Sequence, residues 1–158
     1  MIIVDDKYSL NTILSAFLDH PPIPPCLFLV HPDPARLEDV ATYLHAERGW
    51  SRFSVGKTLS TALLHSAPED RPREAVNHFK DSLRALAPGP VLCTGITLLF
   101  EPALCLDPLA LCRRGARLTP LIVLWPGTYA REVLAYAVPD HAHYRTWRHP
   151  EVRVEAIP

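Results

Sequence analysis

The sequence predicts an α/β fold in which a mostly parallel sheet of four to five strands is covered by helices on both faces. Two observations lead to this prediction. Continuous apolar runs, typical of strands buried on both faces of a parallel sheet, alternate along the chain with segments of helical spacing. Prolines and glycines separate these segments. The 158 residues, 48% of them apolar and 21% charged, suit one domain over residues 1–158 with one substantial core.

The first half of the chain contains two predicted helix–strand pairs. The elements are a helix over 9–19, a strand over 26–30, a helix from 34 to about 47 and a short strand over 50–55. Ser9 or Asn11 caps the first helix, whose apolar stripe includes Leu14 and Leu18. Asp33 is a good N-cap for the second helix, because Pro34 then takes the first helical position.

The second half continues the alternation. It predicts helices over 58–65 and 73–86, a strand over 91–100, a helix over 108–113, a strand over 121–125 and a short edge strand over 152–157. Residues 130–136 fit neither period clearly. Most of the 17 prolines stand at the boundaries between these elements, where a residue without an N–H group is tolerated.

Charge and hydropathy exclude several functional classes. The formal net charge is −1, so no overall field draws the protein to nucleic acid or to an acidic membrane. No apolar run reaches the roughly 18 to 20 residues that span a bilayer. The first residues lack the Lys/Arg-led pattern of a signal peptide. We therefore expect a cytoplasmic protein.

The four cysteines indicate a reduced protein without a structural zinc site. They are Cys26, Cys93, Cys105 and Cys112, and none of them forms a CxxC pair. Three lie in apolar runs, where a free thiol packs as a small hydrophobic group. We expect no disulfide in a cytoplasmic chain.

The loop after the first strand, residues 31–37, lacks the residues of a phosphate site. Ligands of an open parallel sheet bind beyond the carboxyl ends of its strands. A phosphate loop there needs glycines, a lysine and a hydroxyl residue. This loop has none of them. Its two prolines remove N–H donors, and Asp33 repels phosphate, so Arg36 is left as the only favourable group. We predict no nucleotide bound here in the usual mode.

A second string ends in Gly56, Lys57 and Thr58 and has the GxxxxGK[ST] spacing if Ser51 replaces the first glycine. The motif requires a loop between a buried strand and its helix. Residues 52–55 instead have the character of a strand. We interpret Gly56 as the bend between strand and helix, with Lys57 solvated. Binding of ATP with Mg²⁺ through Gly56, Lys57 and Thr58 stays open as an alternative.

The third strand also lacks a catalytic acid. In nucleotide hydrolases, an acid at the end of such a strand holds the magnesium ion. Here Thr94 and Thr97 stand at those positions. A neutral hydroxyl neither balances a divalent ion nor serves as a base near neutral pH. We therefore predict no catalytic residues, no metal site and no cofactor.

Two further groups contain reactive or charged side chains. His141, His143 and His149 could form a metal triad, but a hydrogen-bonding surface loop is the simpler interpretation. A short basic cluster, Arg113, Arg114 and Arg117, follows a predicted helix. A solvated face explains it, and contact with nucleic acid or an acidic partner is the alternative.

The C-terminal part of the chain carries a family resemblance. The residues that carry it lie at 98–104 (LLFEPAL), 107–109 (DPL), 125–127 (WPG) and above all 134–145 (LAYAVPDHAHYR). These segments resemble the small P-loop proteins of BREX-type phage-defence systems, the BrxF-like family. The resemblance implies a three-layer P-loop NTPase-like fold and a role in a multiprotein complex that recognises or excludes phage DNA.

The same comparison with the BrxF-like pattern shows where the chain departs from it. The family's phosphate loop falls on residues 31–37, and its two strand-end acids fall on Thr94 and Thr97. A polar residue at the next strand end falls on Pro126. Arg117 matches a family arginine. The alignment places Gly56, Lys57 and Thr58 outside the phosphate loop.

These observations predict a pseudo-NTPase: a non-catalytic scaffold or adaptor subunit of a phage-defence complex. Its expected partners are a methyltransferase, a large ATPase and a phosphatase-like subunit. The alternatives are an active ATP- or GTP-binding NTPase or nucleotide sensor, and a subunit that contacts DNA. We take exposed aromatic side chains as anchors for partners. The candidate contact residues are Arg113, Arg114, Arg117, Tyr136, His141, His143, Tyr144, Arg145 and Trp147.

Overall fold

A computed structural model describes residues 2–158. The helices are α1 (Val4–Asp19), α2 (Pro34–Arg48), α3 (Val55–Ala62), α4 (Arg71–Leu86) and α5 (Pro108–Gly115). The strands are β1 (Cys26–His31), β2 (Ser51–Ser54), β3 (Val91–Thr94), β4 (Leu121–Ala130), β5 (Val133–Tyr136), β6 (Arg145–Arg148) and β7 (Arg153–Ala156). No helix within these residues is both long enough and apolar enough to cross a membrane.

Five strands form the predicted open parallel sheet, in the order β2-β3-β4-β1-β7. β1 lies between β4 and β7, with Cys26 opposite Leu121 and Leu27 opposite Arg153. The predicted edge strand at 152–157 is confirmed as β7, which pairs with β1 alone in this sheet. The α/β class and the mostly parallel sheet are therefore confirmed.

Successive side chains of each strand point alternately into two apolar cores, one on each face of the sheet. Leu27 and Leu29 of β1 pack with α1 and α2. Phe28 and Val30 point to the other face, where α3, α4 and α5 lie. Burial of both faces explains why the strands are continuous apolar runs. The helices thus form an outer layer on each side.

The predicted strand over 121–125 is too short. β4 continues to Ala130, and its last four residues pair with β5 in antiparallel register. β6 pairs in turn with β5, so that Trp147 lies opposite Leu134. We call β5, β6 and the end of β4 the ribbon. The ambiguous segment 130–136 thus contains the turn and the second strand of this ribbon.

The predicted strand over 91–100 is wrong in its second half. β3 ends at Thr94, because Gly95 adopts a left-handed conformation with φ of 59°. Residues Ile96–Phe100 then form a short 3-10 helix. A buried apolar run has no period that separates a strand from such a turn, so the sequence pattern did not reveal this end.

Two helix starts also differ from the prediction. α1 begins at Val4, so neither Ser9 nor Asn11 caps it, and Leu18 of the predicted apolar stripe is exposed. α3 begins at Val55, immediately after β2, and ends at Ala62. The predicted cap of α2 is confirmed: Pro34 follows Asp33, whose side chain accepts from the Ala35 amide.

Candidate functional site at the carboxyl ends of the strands

The start of the helix that follows β1, the carboxyl end of β3 and the middle of β4 meet at a shallow crevice. The connection from β1 passes to α2 on one face, whereas the connection from β3 passes to α5 on the other. Ligands of open α/β sheets bind at such a switch point. A cavity of about 140 Å³ lies here, lined by Pro34, Leu37, Glu38, Thr94, Gly95, Ile96, Thr97, Leu124 and Pro126.

The crevice has little charge. No lysine or arginine lines it, and its one carboxylate, Glu38, pairs with Arg52 at 2.7 Å. Thr94 and Thr97 both line the crevice, as their predicted positions at the strand end require. The Thr94 side chain is buried. The crevice therefore holds two neutral hydroxyls where phosphate chemistry needs a cation and an acid.

The first turn of α2 has no free N–H donor facing this crevice. The Asp33 amide donates to His31 Nδ1 at 2.9 Å, and the Ala35 amide donates to Asp33 Oδ1 at 2.9 Å. Pro34 has no N–H group. The amides of Arg36 and Leu37 both donate to the Asp33 carbonyl oxygen. A helix N-terminus binds phosphate through donors of this kind, and here each of them is already bonded.

Arg36, the one cation of this loop, is directed elsewhere. Its Nε donates to the Pro158 carbonyl oxygen at 2.8 Å, and its guanidinium pairs with Asp6 of α1. The side chain thus fastens α2 to α1 and to the C-terminal residue. It is not positioned to balance a phosphate in the crevice.

A magnesium nucleotide does not fit these residues. Ligand pockets of drug-sized molecules occupy about 300–1,000 Å³, and the crevice holds about 140 Å³. A phosphate would need free N–H groups at the start of α2. At that position the chain has the Asp33 carboxylate cap and Pro34, which has no N–H group.

Gly56, Lys57 and Thr58 lie within α3 and not in a loop. The Gly56 amide donates to the Gly95 carbonyl oxygen at 2.9 Å, so this N–H is not available to a phosphate. A Cβ at Gly56 would lie 2.9 Å from that same oxygen. Lys57 and Thr58 are exposed on the helix surface. The glycine is thus required by the close approach of α3 to the turn after β3.

The expectation that Tyr136 is an exposed anchor is wrong. Its ring stacks on Phe100, with centroids 3.6 Å apart and planes 7° apart, and 5% of the residue is exposed. Burial, and secondarily the charge of Glu101, raise the pKa of its hydroxyl. Trp147 is half-buried against Trp125 and donates its indole N–H to Asp107 at 3.2 Å. These aromatic side chains hold the ribbon on the sheet.

Three other candidates, in the loop between β5 and β6 and at the start of β6, border a second cavity. It measures about 380 Å³ and is lined by Phe100, Glu101, Pro102, Cys105, Leu106, Ala142, His143, Tyr144 and Arg145. Arg145 donates to the Leu106 carbonyl oxygen at 3.0 Å and lies 4.9 Å from the Trp147 ring centre. The His143 amide donates to His141 Nδ1 at 3.0 Å. Tyr144 is exposed.

The three histidines do not form one cluster. His149 pairs with Glu132 at 2.9 Å, whereas the His141 ring makes edge-to-face contacts with the rings of Tyr136 and His143. Within residues 2–158 no group of three His, Cys, Asp or Glu side chains is arranged to hold a metal ion.

The basic cluster lies at the opposite end of the sheet from the crevice. Arg113 and Arg114 lie in the last turn of α5, and Arg117 follows the helix before the amino end of β4. Arg113 pairs with Glu151 at 3.2 Å and is half-buried, whereas Arg114 and Arg117 are exposed. The cluster is thus reduced to two solvated arginines.

The prediction of buried free thiols is confirmed for three cysteines. Cys26, Cys93 and Cys112 are buried, Cys105 is exposed, and all four are free. Burial raises the pKa of Cys112 to about 12 and raises the pKa values of Cys26 and Cys93.

Sequence reasoning missed two contributors to this part of the molecule. Glu38 lines the crevice because it lies one helical turn after Pro34, a spacing that was readable from the sequence. Phe100 is the centre of the aromatic packing under the ribbon. Comparisons with protein families, with curated proteins and with solved structures found no match to the chain.

Proposed function

We propose that this chain is a non-catalytic, P-loop-like scaffold or adaptor subunit of a multiprotein phage-defence complex of the BREX type. The observation that supports the non-catalytic part is the first turn of α2, whose N–H groups all bond to Asp33 or His31 or are absent at Pro34. The defence context rests on the resemblance of residues 98–145 to BrxF-like proteins. The proposed partners are a methyltransferase, a large ATPase and a phosphatase-like subunit.

Catalysis of phosphoryl transfer depends on positioned charges. Cations and a metal ion neutralise the phosphate oxygens, and an acid holds the metal. The carboxylate that lines this crevice, Glu38, adds a negative charge, the adjoining start of α2 is capped by the Asp33 carboxylate, and Thr94 and Thr97 supply no charge. An α/β domain of this kind still offers partners a rigid surface, and the ribbon with exposed Tyr144 and Arg145 is the proposed part of it.

DNA contact is a second candidate function, supported by Arg114 and Arg117. Both are exposed, and neither forms an ion pair within residues 2–158. Each phosphate contact releases counterions, so the affinity would fall steeply with salt. Measurement of binding to duplex DNA between 50 and 200 mM salt tests it; Arg114→Ala and Arg117→Ala should each weaken binding, and salt-independent binding would count against it.

Thermal unfolding with nucleotides tests the non-catalytic proposal. The protein is heated with and without millimolar Mg-ATP, Mg-GTP and their diphosphates. A ligand at 100 times its Kd would stabilise the fold by about 2.7 kcal/mol, which shifts the midpoint by several degrees. We expect no shift. A shift that Lys57→Ala abolishes would replace the proposal by the alternative, a nucleotide-binding site at Gly56, Lys57 and Thr58.

Copurification tests the adaptor role. The chain is expressed with the products of its neighbouring genes, and a complex should form with a methyltransferase, a large ATPase or a phosphatase-like protein. A gene neighbourhood made only of metabolic enzymes, with no complex formed, would contradict the proposal.

A further inference from the structure

β6 is an edge strand with a free backbone. Within residues 2–158 it pairs with β5 on one side and with no strand on the other. Arg145, Thr146 and Arg148 are exposed, and Trp147 is half-buried. A free strand edge of this kind is a template for pairing with another chain.

The direction of the unpaired groups follows from the register. The His149 amide donates to the Glu132 carbonyl oxygen at 2.9 Å, one position beyond the pair of Val133 and Arg148. Hydrogen-bonded and non-bonded pairs alternate along an antiparallel ladder. The N–H and C=O groups of Thr146 and Arg148 therefore point away from β5.

A second contact agrees with this assignment. The Ala137 amide donates to the Pro126 carbonyl oxygen at 2.9 Å. By the same alternation, Leu134 and Tyr136 of β5 direct their backbone groups to β6, where their partners are Trp147 and Arg145. Thr146 and Arg148 thus present four polar backbone groups to solvent.

Side-chain contacts hold this edge in place before any partner arrives. Trp147 donates to Asp107, and Arg145 donates to the Leu106 carbonyl oxygen; Trp147 also packs on Phe100 and Trp125, so this face of β6 lies against the body of the domain. A strand fixed in its bound geometry loses little conformational freedom when a partner docks. The outer side is left with Thr146 and Arg148.

We infer that β6 is a docking strand that pairs with an extended acidic segment of a partner protein. Strand addition takes its affinity from main-chain hydrogen bonds and its selectivity from alternate side chains. Arg148 is exposed and forms no ion pair within residues 2–158, and no acidic side chain belongs to β6. An acidic side chain on the added strand, next to Arg148, would form the ion pair that Arg148 lacks. The inference rests on the proposed adaptor role and names the partner's chemistry.

The β6 strand of a second copy offers no acid to this edge. In an antiparallel ladder, residues that point towards the partner strand lie opposite each other, so a two-fold axis through Trp147 places Arg148 opposite Thr146 of the other copy. An axis through Arg148 places two arginines opposite each other, and like charges directly opposite each other destabilise a strand pair.

The β2 and β7 edges lack this combination, and the outer edge of β4 at 127–130 has no charged side chain. At the β2 edge the one charged side chain, Arg52, already pairs with Glu38. At the β7 edge Arg153 pairs with Glu155 at 3.7 Å. β6 is thus the edge strand whose cationic surface has no acidic partner of its own.

Fluorescence anisotropy with labelled eight-residue peptides tests the inference. The probe is an alternating Glu-Val peptide, and the matched probe is an alternating Lys-Val peptide. We expect the acidic peptide to bind at least tenfold more tightly, with an affinity that falls as salt rises. Equal binding of the two peptides, or none of the acidic one, would overturn the inference.

Variants separate backbone pairing from general charge. Thr146→Pro removes an outward N–H without a role in the β5 ladder, and proline is tolerated on edge strands. It should weaken binding of the acidic peptide at least tenfold, whereas Thr146→Val should leave it unchanged. Arg148→Glu should reverse the preference between the peptides, and Arg114→Glu should not. If Arg114→Glu loses binding of the acidic peptide and Thr146→Pro does not, the peptide binds at the basic cluster and not at β6.

Hydrogen exchange gives a readout that does not depend on a substitution. The amides of Thr146 and Arg148 should exchange at least tenfold more slowly in the presence of the acidic peptide, and unchanged rates would contradict docking. Sedimentation tests whether a second copy of this chain pairs with β6 instead. If the wild type is a dimer and Thr146→Pro is a monomer, a second copy occupies this edge and the inference is overturned.

The outcomes distinguish the two proposals. Suppose that the chain copurifies with defence proteins, but that the acidic peptide does not bind and the amides of β6 show no slower exchange. The docking inference then fails, and the adaptor role does not. If the acidic peptide binds but no defence partner is found, the adaptor role in phage defence fails.

Discussion

The indole nitrogen of Trp125 in β4 donates a buried hydrogen bond to the carbonyl oxygen of Ala135 in β5, at 2.9 Å. Trp125 also stacks on Phe28 of β1, with ring centres 5.0 Å apart. One side chain therefore joins the parallel sheet to the ribbon. The stability of the ribbon depends on this contact.

Trp125→Phe should lower the free energy of unfolding by about 1–3 kcal/mol, because the buried Ala135 oxygen loses its indole donor. Chemical denaturation monitored by circular dichroism measures the change. Trp50→Phe is the matched control, since Trp50 is half-buried and its indole makes no hydrogen bond within residues 2–158. Equal losses in both variants would show that the bond contributes nothing beyond ring packing.

Asp33→Ala should destabilise the protein by about 0.5–2 kcal/mol, the usual cost of losing an N-cap side chain. The Ala35 amide loses its acceptor in this variant. Asp33→Asn should retain most of the stability, because an asparagine oxygen also caps. Asp140→Ala, in the exposed loop between β5 and β6, should change stability by less than about 0.5 kcal/mol. If Asp33→Ala unfolds no more easily than Asp140→Ala, the cap is not formed in solution.

Gly56→Ala should destabilise the fold, by up to about 2 kcal/mol. The new methyl group would lie 2.9 Å from the Gly95 carbonyl oxygen, and such overpacking costs about 1–3 kcal/mol. The higher helix propensity of alanine, about 1 kcal/mol, offsets only part of this cost. Thr58→Ala, on the exposed surface of α3, is the control and should be nearly neutral. A stabilised Gly56→Ala protein would refute the close approach of α3 to the Gly95 turn.

Native thiol labelling should modify Cys105 alone. Cys105 is exposed, whereas the other three thiols are buried, and only a thiolate reacts. With iodoacetamide at pH 8, mass spectrometry should find one adduct on the folded wild type, four after unfolding and none on folded Cys105→Ala. Rapid addition of a second label to the folded protein would contradict the buried placement of the others.

Stability should fall as the pH rises above about 9. The pKa of Cys112 is raised from 9.0 to about 12, so between these values the unfolded chain releases a proton that the folded chain retains. The unfolded state is thereby favoured, by up to about 1.4 kcal/mol for each pH unit and thiol. Denaturation at pH 8, 9 and 10 measures the slope, and Cys112→Ala should reduce it. An unchanged slope in that variant would assign the alkaline loss to other groups.

Local chemistry made several elements predictable from sequence. Asp33 followed by Pro34 predicted the start of α2. The apolar run that begins at Cys26 predicted a strand buried on both faces of the sheet. Thr94 and Thr97 were expected where a catalytic acid would stand, and they do line the crevice. These features depend on the residue types within one short segment.

Other features depended on contacts between distant segments. Tyr136 was predicted to be an exposed aromatic anchor, yet Phe100, from another part of the chain, covers it. The end of β3 at Gly95 was hidden inside an apolar run, since burial alone does not distinguish a strand from a 3-10 turn.

By itself the sequence determined the α/β class, the capped start of α2 and the absence of phosphate-loop residues at 31–37. Only the tertiary structure decided the order β2-β3-β4-β1-β7, the ribbon and the free edge of β6. The physical reason is that local propensity and period report burial and backbone preference within one segment. Which strands pair, and which edge is left open, follows from non-local packing that no single segment records.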